Sequence, residues 1–114
     1  MKNKKLSTYD IIIFSKMIPQ SGSIIGMDLG SKRIGIAISN ENRTVSISYD
    51  TVLRTKLSKD IITINKIVSE NNIVAIIVGL PLNIEGKAGK ESQSIRRLAE
   101  EINNNLMLPI LFWD

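Results

Sequence analysis

The sequence predicts one α/β domain built on a single mixed sheet, with its elements in the order β-β-β-α-β-α-β. Three apolar or alternating runs follow one another between Ser23 and Leu53, and two segments of helical period then alternate with two further apolar runs. A chain of 114 residues with 43% hydrophobic residues suits one core rather than two. An antiparallel meander followed by right-handed crossovers is one of the few compact ways to connect such elements.

The domain is predicted to span residues 23–114, and residues 1–22 are predicted to form an N-terminal extension. The extension begins with basic residues and continues with apolar residues between Leu6 and Ile18, at a spacing that fits a short amphipathic helix. It ends at the breakers Pro19 and Gly22. Such a helix either docks on the domain or stays loose. A membrane-surface helix is less consistent with the sequence, because the apolar face is short and the polar face is not strongly basic.

The first three predicted strands form an antiparallel meander. The first two, Ser23–Leu29 and Lys32–Ser39, are joined by Gly30 and Ser31, which predicts a tight hairpin. After a polar turn, the third strand is predicted over Thr44–Leu53, where apolar side chains alternate with polar ones. Three antiparallel neighbours are therefore expected in the sheet.

A helix and a buried strand follow the meander. Ser58 is predicted to be the N-cap of the helix, and Asp60 places an acid in its first turn. The pair Asn71 and Asn72 is predicted to end the helix. The apolar run Val74–Val78 suits a central strand that is covered on both faces.

A second helix and a last strand complete the predicted core. Apolar residues from Ile95 to Leu106 form one stripe, and Arg96-Arg97 precede Glu100-Glu101 at the spacing of helical salt bridges on an exposed face. The apolar run Pro109–Trp113 predicts the final strand. Trp113 is expected in the core, since one aromatic residue is too few for a base-stacking platform. This order of elements is that of the RNase H-like fold.

Composition narrows the chemistry that the chain can carry. The sequence contains no Cys and no His, which excludes disulfides, thiol nucleophiles and metal sites built from either residue. The formal net charge of +4 owes three charges to Lys2, Lys4 and Lys5 near the N-terminus, so it supports polyanion binding only weakly. No apolar run approaches the ~18 residues that span a bilayer, so we expect a cytoplasmic protein without a membrane partner.

Asp28 is the leading candidate for a functional residue. It lies inside the apolar run from Ile24 to Leu29, where a buried carboxylate is costly unless a cation, a metal or hydrogen bonds compensate its charge. Alternatively, Asp28 accepts hydrogen bonds from amides of the following Gly30-Ser31 turn. A strand-borne Asp followed by a Gly turn occurs in nucleases that hold Mg²⁺ and in phosphotransferases that hold Mg-ATP, and the pattern does not separate them.

Three longer motifs are more specific than this turn. They are Gly26-Met-Asp-Leu-Gly-Ser-Lys-Arg-Ile-Gly-Ile-Ala37, Ile77-Val-Gly-Leu-Pro-Leu-Asn83 with Gly86, and Phe112-Trp-Asp114. In their order and spacing the sequence resembles the YqgF/RuvX family of Holliday junction resolvases, also described as pre-16S rRNA nucleases. The resemblance runs from Ser23 to the last residue, and Gly-Leu-Pro-Leu-Asn after a buried strand is its most distinctive part.

The resemblance implies a nuclease that depends on Mg²⁺ or Mn²⁺ and matures the 5′ end of 16S rRNA, with junction resolution as the older assignment. Pre-rRNA or branched DNA is then the expected nucleic-acid partner, and a ribosomal precursor particle is a further one. Asp28 is implied to be the first catalytic carboxylate and a metal ligand. Asp114 matches the first residue of the Asp-Glu-Arg motif of the family and is implied to be a second catalytic ligand. The rest of that motif and the later helices of the family are absent from the sequence.

Further residues are assigned to the predicted site. Lys32 and Arg33 adjoin the Asp28 turn and are expected to neutralise substrate phosphates, although such residues also solvate hairpins. The resemblance puts Asn83 near Asp28, and Lys87 belongs to a glycine-containing loop that either contacts a nucleic-acid backbone or is simply solvated. The structural loop positions are Gly30, Gly79 and Pro81. Gly79 and Pro81 are explained equally well if they simply end the preceding strand.

Two other functions stay open at this point. In the first, the chain is a catalytically inactive, C-terminally truncated fragment that retains the fold, because two carboxylates are too few to hold two metal ions about 4 Å apart. The last strand edge and one sheet face are then expected to be uncovered, with marginal stability or self-association as the result. In the second, the chain binds Mg-ATP as phosphotransferases do, although those of the actin or sugar-kinase type need two such domains.

Overall fold

The computed structural model describes residues 6–81 and 89–113. Asn83, Lys87 and Asp114 of the predicted site lie outside the described residues. None of the helices in the described ranges is long and apolar enough to cross a membrane. In chain order the elements are β1 (Ser7–Thr8), α1 (Ile11–Met17), β2 (Ser23–Leu29), β3 (Arg33–Ser39), β4 (Ser46–Leu53), α2 (Leu57–Glu70), β5 (Ile73–Gly79), α3 (Lys90–Ile102) and β6 (Ile110–Trp113).

The strands form one mixed sheet in the order β1-β6-β5-β2-β3-β4. β2, β3 and β4 are antiparallel neighbours, whereas β2, β5, β6 and β1 run parallel to one another. From β2 onward the elements follow the predicted order β-β-β-α-β-α-β, which confirms the mixed α/β sheet. As a consequence, the carboxyl ends of β2, β5 and β6 lie side by side at one edge of the sheet.

The main core lies on the sheet face that α2 and α3 cover. Strands β2 and β3 send alternate side chains into it, because successive residues of a strand point to opposite faces. β5 is buried along most of its length, as its continuous apolar run predicts. Fully buried members of this core include Ile25, Ile34, Ile64, Ile76 and Ile102.

The N-terminal extension packs on the sheet. β1 pairs with β6, placing Ser7 opposite Ile110, and the Ile110 amide donates a hydrogen bond to the Leu6 carbonyl at 2.8 Å. Phe14 of α1 is 3% exposed and packs with Leu111 on the face opposite α2 and α3. The expected bare strand edge is therefore wrong, because β1 pairs with the edge of β6. The expected bare sheet face is wrong only in part, because α1 covers the second face around Ala75 and Leu111 and leaves its β4 end exposed.

Side-chain contacts stabilise the N-terminal extension and its packing on the domain. The Asp10 carboxylate caps α1 by accepting hydrogen bonds from two amides of its first turn at 2.8 and 3.2 Å. The rings of Tyr9 and Phe112 lie 5.4 Å apart, and the Tyr9 hydroxyl accepts a 3.0 Å hydrogen bond from Arg96, which raises the pKa of Arg96. Within the described ranges no Arg96–Glu100 ion pair forms, so that prediction is wrong: the docked extension offers the guanidinium a phenol instead.

The predicted start of α2 at Ser58 is also wrong. The helix begins at Leu57, and Lys56 occupies the N-cap position without a capping side chain. The Asp60 carboxylate turns back and accepts hydrogen bonds from the amide and the hydroxyl of Thr55, at 3.0 and 3.1 Å. Because these bonds hold the segment that precedes the helix, α2 begins one residue before Ser58.

The helix α3 ends earlier than its apolar stripe predicts. α3 stops at Ile102, although the stripe extends to Leu106. The buried Asn103 side chain donates to the Leu108 carbonyl at 2.8 Å and accepts from the Leu108 amide at 3.0 Å. These two bonds turn the chain toward β6, so the last apolar residue of the stripe packs on the core from a loop.

Candidate active site

Three parallel strands end side by side, and residues at their carboxyl ends form a row. In register, Gly79 of β5 lies opposite Trp113 of β6, and Met27 of β2 lies opposite Val78 of β5, which puts Asp28 next to Gly79. The residues adjacent to Asp28 and Trp113 in sequence belong to the main core, so these two side chains point to the opposite face. We call Asp28, Gly79 and Trp113 the strand-end row.

Asp28 is exposed, although Met27 and Leu29 on either side of it are each 4% exposed. The expectation of a carboxylate buried in an apolar strand is therefore wrong, because strand alternation sends the apolar neighbours inward and the carboxylate outward. Among the described residues no group donates a hydrogen bond to this carboxylate. The turn uses the backbone carbonyl of Asp28, which accepts a bond from the Gly30 amide at 3.2 Å. The carboxylate is thus accessible to water or a ligand.

Lys32 and Arg33 lead into β3 beside Asp28. The Gly30 amide donates to the Arg33 carbonyl at 2.9 Å, so the chain reverses at Ser31 and Lys32 rather than at Gly30 and Ser31. Both basic side chains are exposed, and Arg33 shares the face of Asp28 by the alternation of β3. The structure thus brings two predicted phosphate contacts to the end of the sheet that carries the carboxylate.

Replacing Gly30 with alanine is expected to lower the free energy of unfolding by about 2 kcal/mol. A Cβ at this position would lie 2.8 Å from the carbonyl oxygen of Arg33, a backbone atom held by the turn. The matched control is Gly79→Ala, because a Cβ at Gly79 meets no heavy atom of the described part of the chain within 4 Å. Urea denaturation measures both variants, and equal midpoints would show that the turn accommodates the methyl group.

Arg54 anchors the same turn, and sequence patterns do not single it out. Its Nη1 donates to the Gly30 carbonyl at 3.0 Å, and its amide donates to the Lys32 carbonyl at 2.9 Å. Its Nε lies 3.8 Å from Oδ2 of Asp60, a residue that is 2% exposed. Arg54 and Gly30 are 24 positions apart, so no periodicity reports their contact. Through Arg54, the buried Asp60 carboxylate in the first turn of α2 supports the turn that follows Asp28.

The predicted loop at Gly79 and Pro81 runs directly into the core. Leu80 is 3% exposed and its amide donates to the Trp113 carbonyl at 2.7 Å, while the Pro81 carbonyl accepts a hydrogen bond from the Ser92 hydroxyl of α3. Gly79 has no positive φ, so an unusual backbone conformation does not explain the glycine there. Its lack of a side chain instead leaves a space in the middle of the strand-end row that no described residue fills.

The strand-end row contains one carboxylate. Within the described ranges no group of three or more potential metal-ligating Asp or Glu residues comes together, and the sequence has no Cys or His to replace them. A two-metal site needs several carboxylates to hold both ions. Asp28 therefore fits one ligand position and not a complete site. Asp114, the other predicted ligand, follows Trp113 outside the described residues.

The strand order and the carboxylate at the end of a central strand define an RNase H-like domain. Among solved structures, RuvC of T. thermophilus in complex with a Holliday junction substrate matches the chain with a TM-score of 0.59 at 8% sequence identity. The match covers 80% of this chain and 63% of the RuvC chain. It confirms the predicted RNase H-like fold.

The RuvX family, described as Holliday junction resolvase, matches residues 22–114, and the chain belongs to this family. Its relatives include proteins provisionally named as pre-16S rRNA nucleases. One from Cereibacter sphaeroides is 39% identical over 101 residues, and one from Pelagibacter ubique is 39% identical over 90 residues. These matches cover 89% and 79% of this chain but only 63% and 60% of the relatives. The chain thus spans less than two thirds of the length of these relatives.

Proposed function

We propose that this chain is a nuclease domain that hydrolyses phosphodiester bonds in nucleic acid, with Asp28 as its catalytic metal ligand. The observation that carries the proposal is the exposed Asp28 carboxylate at the end of β2 in a member of the RuvX family. The proposed cofactor is Mg²⁺, with Mn²⁺ as a substitute, because both ions favour carboxylate oxygens. Asp114 is the proposed second ligand.

The groups around Asp28 suit a phosphate backbone. Lys32 and Arg33 are exposed cations beside the carboxylate, and they are proposed to neutralise and position substrate phosphates. Asn83 and Lys87 are proposed as further substrate contacts. A bound divalent ion would supply Lewis-acid activation at the phosphate and an activated water. The chain's own part is to hold the phosphate near Asp28, through side chains on a turn that Arg54 fixes.

The proposed substrate is the precursor of 16S rRNA, presented in a ribosomal precursor particle. Relatives that match most of this chain are provisionally named for that substrate. Branched DNA is the other substrate to test, because the structurally similar RuvC was solved with a Holliday junction substrate. Phosphate contacts serve RNA and DNA alike, so the sugar and the shape of the strand decide between the two.

Asp28→Asn is expected to reduce metal-dependent cleavage by at least about a hundredfold, because it removes a charged ligand while keeping the side-chain size. The assay supplies Mg²⁺ or Mn²⁺ to the purified chain with either an RNA that spans the 5′ end of the 16S precursor or a four-way DNA junction. Asp50→Asn is the matched control, since Asp50 is an exposed carboxylate on the edge strand β4, two strands away from β2, and is not part of the strand-end row.

Different results of the cleavage assay would overturn the role of Asp28, the substrate and the metal requirement. Cleavage that survives Asp28→Asn, or that falls equally with Asp50→Asn, would overturn the role of Asp28. Cleavage of the junction alone would overturn the rRNA assignment. Cleavage that proceeds fully in a chelator would overturn the metal requirement.

A second candidate function is nucleic-acid binding without hydrolysis. The observation that favours it is the single carboxylate of the strand-end row within the described ranges, which is fewer than a two-metal site requires. Under this alternative, RNA binds to the wild-type chain and the Asp28→Asn variant alike, and neither protein cuts it at any concentration of divalent ion.

A further inference from the structure

The tryptophan at the end of β6 lies in solvent rather than in the core. Trp113 is 52% exposed, whereas the three residues before it in the strand are between 1% and 3% exposed. The expected core position of Trp113 is therefore wrong. The α1 helix covers Leu111, which points to the same sheet face two residues earlier, and this apolar cluster does not include Trp113.

Trp113 and Asp28 flank an open space on the same face. Both belong to the strand-end row, with Gly79 between them, and no heavy atom of residues 6–81 or 89–113 lies within 4 Å of a Cβ built on Gly79. Adjacent strands are about 4.8 Å apart, so the Cα atoms of Asp28 and Trp113 are separated by about 10 Å. Arg33 lies on this face at the other side of Asp28. The carboxylate thus has a cation on one side and an indole on the other.

An indole in this position matches one chemical class of ligand. A large, half-exposed aromatic ring is costly to leave in water and gains by stacking on another flat ring. Nucleobases offer such a ring, and stacking on an aromatic side chain tolerates every base because each has a π-face. A base inside a duplex is already stacked on its neighbours, so only an unpaired base can present its face.

We propose that Trp113 is a base-stacking residue, whose indole holds one unpaired nucleobase beside the phosphodiester at Asp28. The inference rests on the proposed function, since it extends the same site to a preference for single-stranded nucleic acid. Trp113 stacks one base and sets which strand segment reaches Asp28. The phosphates on the other side of the carboxylate lie toward Arg33 and Lys32.

The chain offers a direct readout, because Trp113 is its single tryptophan. Its intrinsic fluorescence is titrated with a short oligouridylate and with an RNA duplex, in the Asp28→Asn background so that neither RNA is cut. The oligouridylate is expected to quench the emission to saturation, while the duplex leaves it nearly unchanged. Quenching that is equal for both RNAs, or binding of the oligouridylate without quenching, would overturn the proposal.

Variants test whether the ring contributes to affinity. Trp113→Ala is expected to weaken oligouridylate binding about tenfold by fluorescence anisotropy of a labelled strand, as expected for one stacked base. Trp113→Phe is expected to keep most of the affinity, because it keeps an aromatic face. The control is Tyr49→Ala on β4, where Tyr49 is an aromatic residue with 44% exposure on a strand four positions across the sheet from the strand of Trp113. Equal affinities for Trp113→Ala and wild type, or equal losses for the alanine variants of Trp113 and Tyr49, would overturn the proposal.

The measurements distinguish a failure of the stacking proposal from a failure of the proposed function. If the Asp28→Asn substitution leaves cleavage intact while oligouridylate still quenches Trp113, the assigned role of Asp28 fails and the stacking subsite stands. If cleavage depends on Asp28 but is the same for Trp113→Ala and wild type on single-stranded RNA, the stacking proposal fails and the proposed function stands. Urea denaturation of both Trp113 variants verifies that they are folded.

Discussion

Phe14→Ala is expected to lower the free energy of unfolding by about 3 kcal/mol, at the lower end of the range for truncating a buried phenylalanine. Phe14 is 3% exposed and is the one buried residue of α1. It packs against Ala75 and Leu111, so its removal leaves a cavity on the second face of the sheet. A helix of seven residues is not stable by itself, and its docking therefore depends on this side chain.

Urea denaturation followed by circular dichroism measures this effect. The matched control is Ile12→Ala in the same helix, where Ile12 is 64% exposed and its truncation is expected to change stability by less than about 0.5 kcal/mol. If both variants unfold at the wild-type midpoint, the extension contributes nothing to stability. A large loss confined to Phe14→Ala shows that the residues preceding the family match stabilise the domain.

Asp60→Ala is expected to lower the free energy of unfolding by about 3 kcal/mol, since it removes a buried acceptor and a buried charge partner together. Asp60 is 2% exposed and accepts two hydrogen bonds from Thr55. Its other carboxylate oxygen faces Nε of Arg54, and among the described residues neither atom has a hydrogen-bond partner. The substitution thus leaves Arg54 without its anion and the Thr55 amide without its acceptor.

The effect of Asp60→Ala is also expected at the Asp28 turn. Arg54 donates to the Gly30 carbonyl, so loosening Arg54 is expected to speed amide hydrogen exchange at Gly30, measured by NMR. Asp60→Asn keeps an acceptor for Thr55 and is expected to cost about 1 kcal/mol. Glu70→Ala, at an exposed acid of the same helix, is the control for a general loss of charge. If the Gly30 amide exchanges at the same rate in Asp60→Ala and in the wild type, Asp60 does not stabilise the Asp28 turn through Arg54.

The sheet could be predicted from the sequence because its signals are local. The alternation in β2 and β3, the continuous apolar run of β5 and the helical stripe of α3 each reflect which faces of one element meet the core. The order of these elements then restricts the topology to very few arrangements. The position of Asp28 at the end of the first core strand follows from the same pattern.

The surroundings of Asp28 could not be predicted in this way. The apolar neighbours of Asp28 suggested burial, yet alternation within an open sheet exposes it, and Trp113 is exposed for the same reason. Arg54 and Asp60 support the site through contacts between elements that are far apart in the sequence. The extension, whose docking was left open, covers a strand edge and part of a sheet face.

By itself, the sequence determined the class of fold, the family resemblance and the carboxylate that leads the proposed site. Each of these depends on residues close together along the chain or on motifs in a set order. Only the tertiary structure decided which faces are covered, that β1 completes the sheet beside β6, and that Asp28, Gly79 and Trp113 form one exposed row. The physical reason is that exposure and side-chain partners depend on which distant segments pack together, and local periodicity carries no information about that choice.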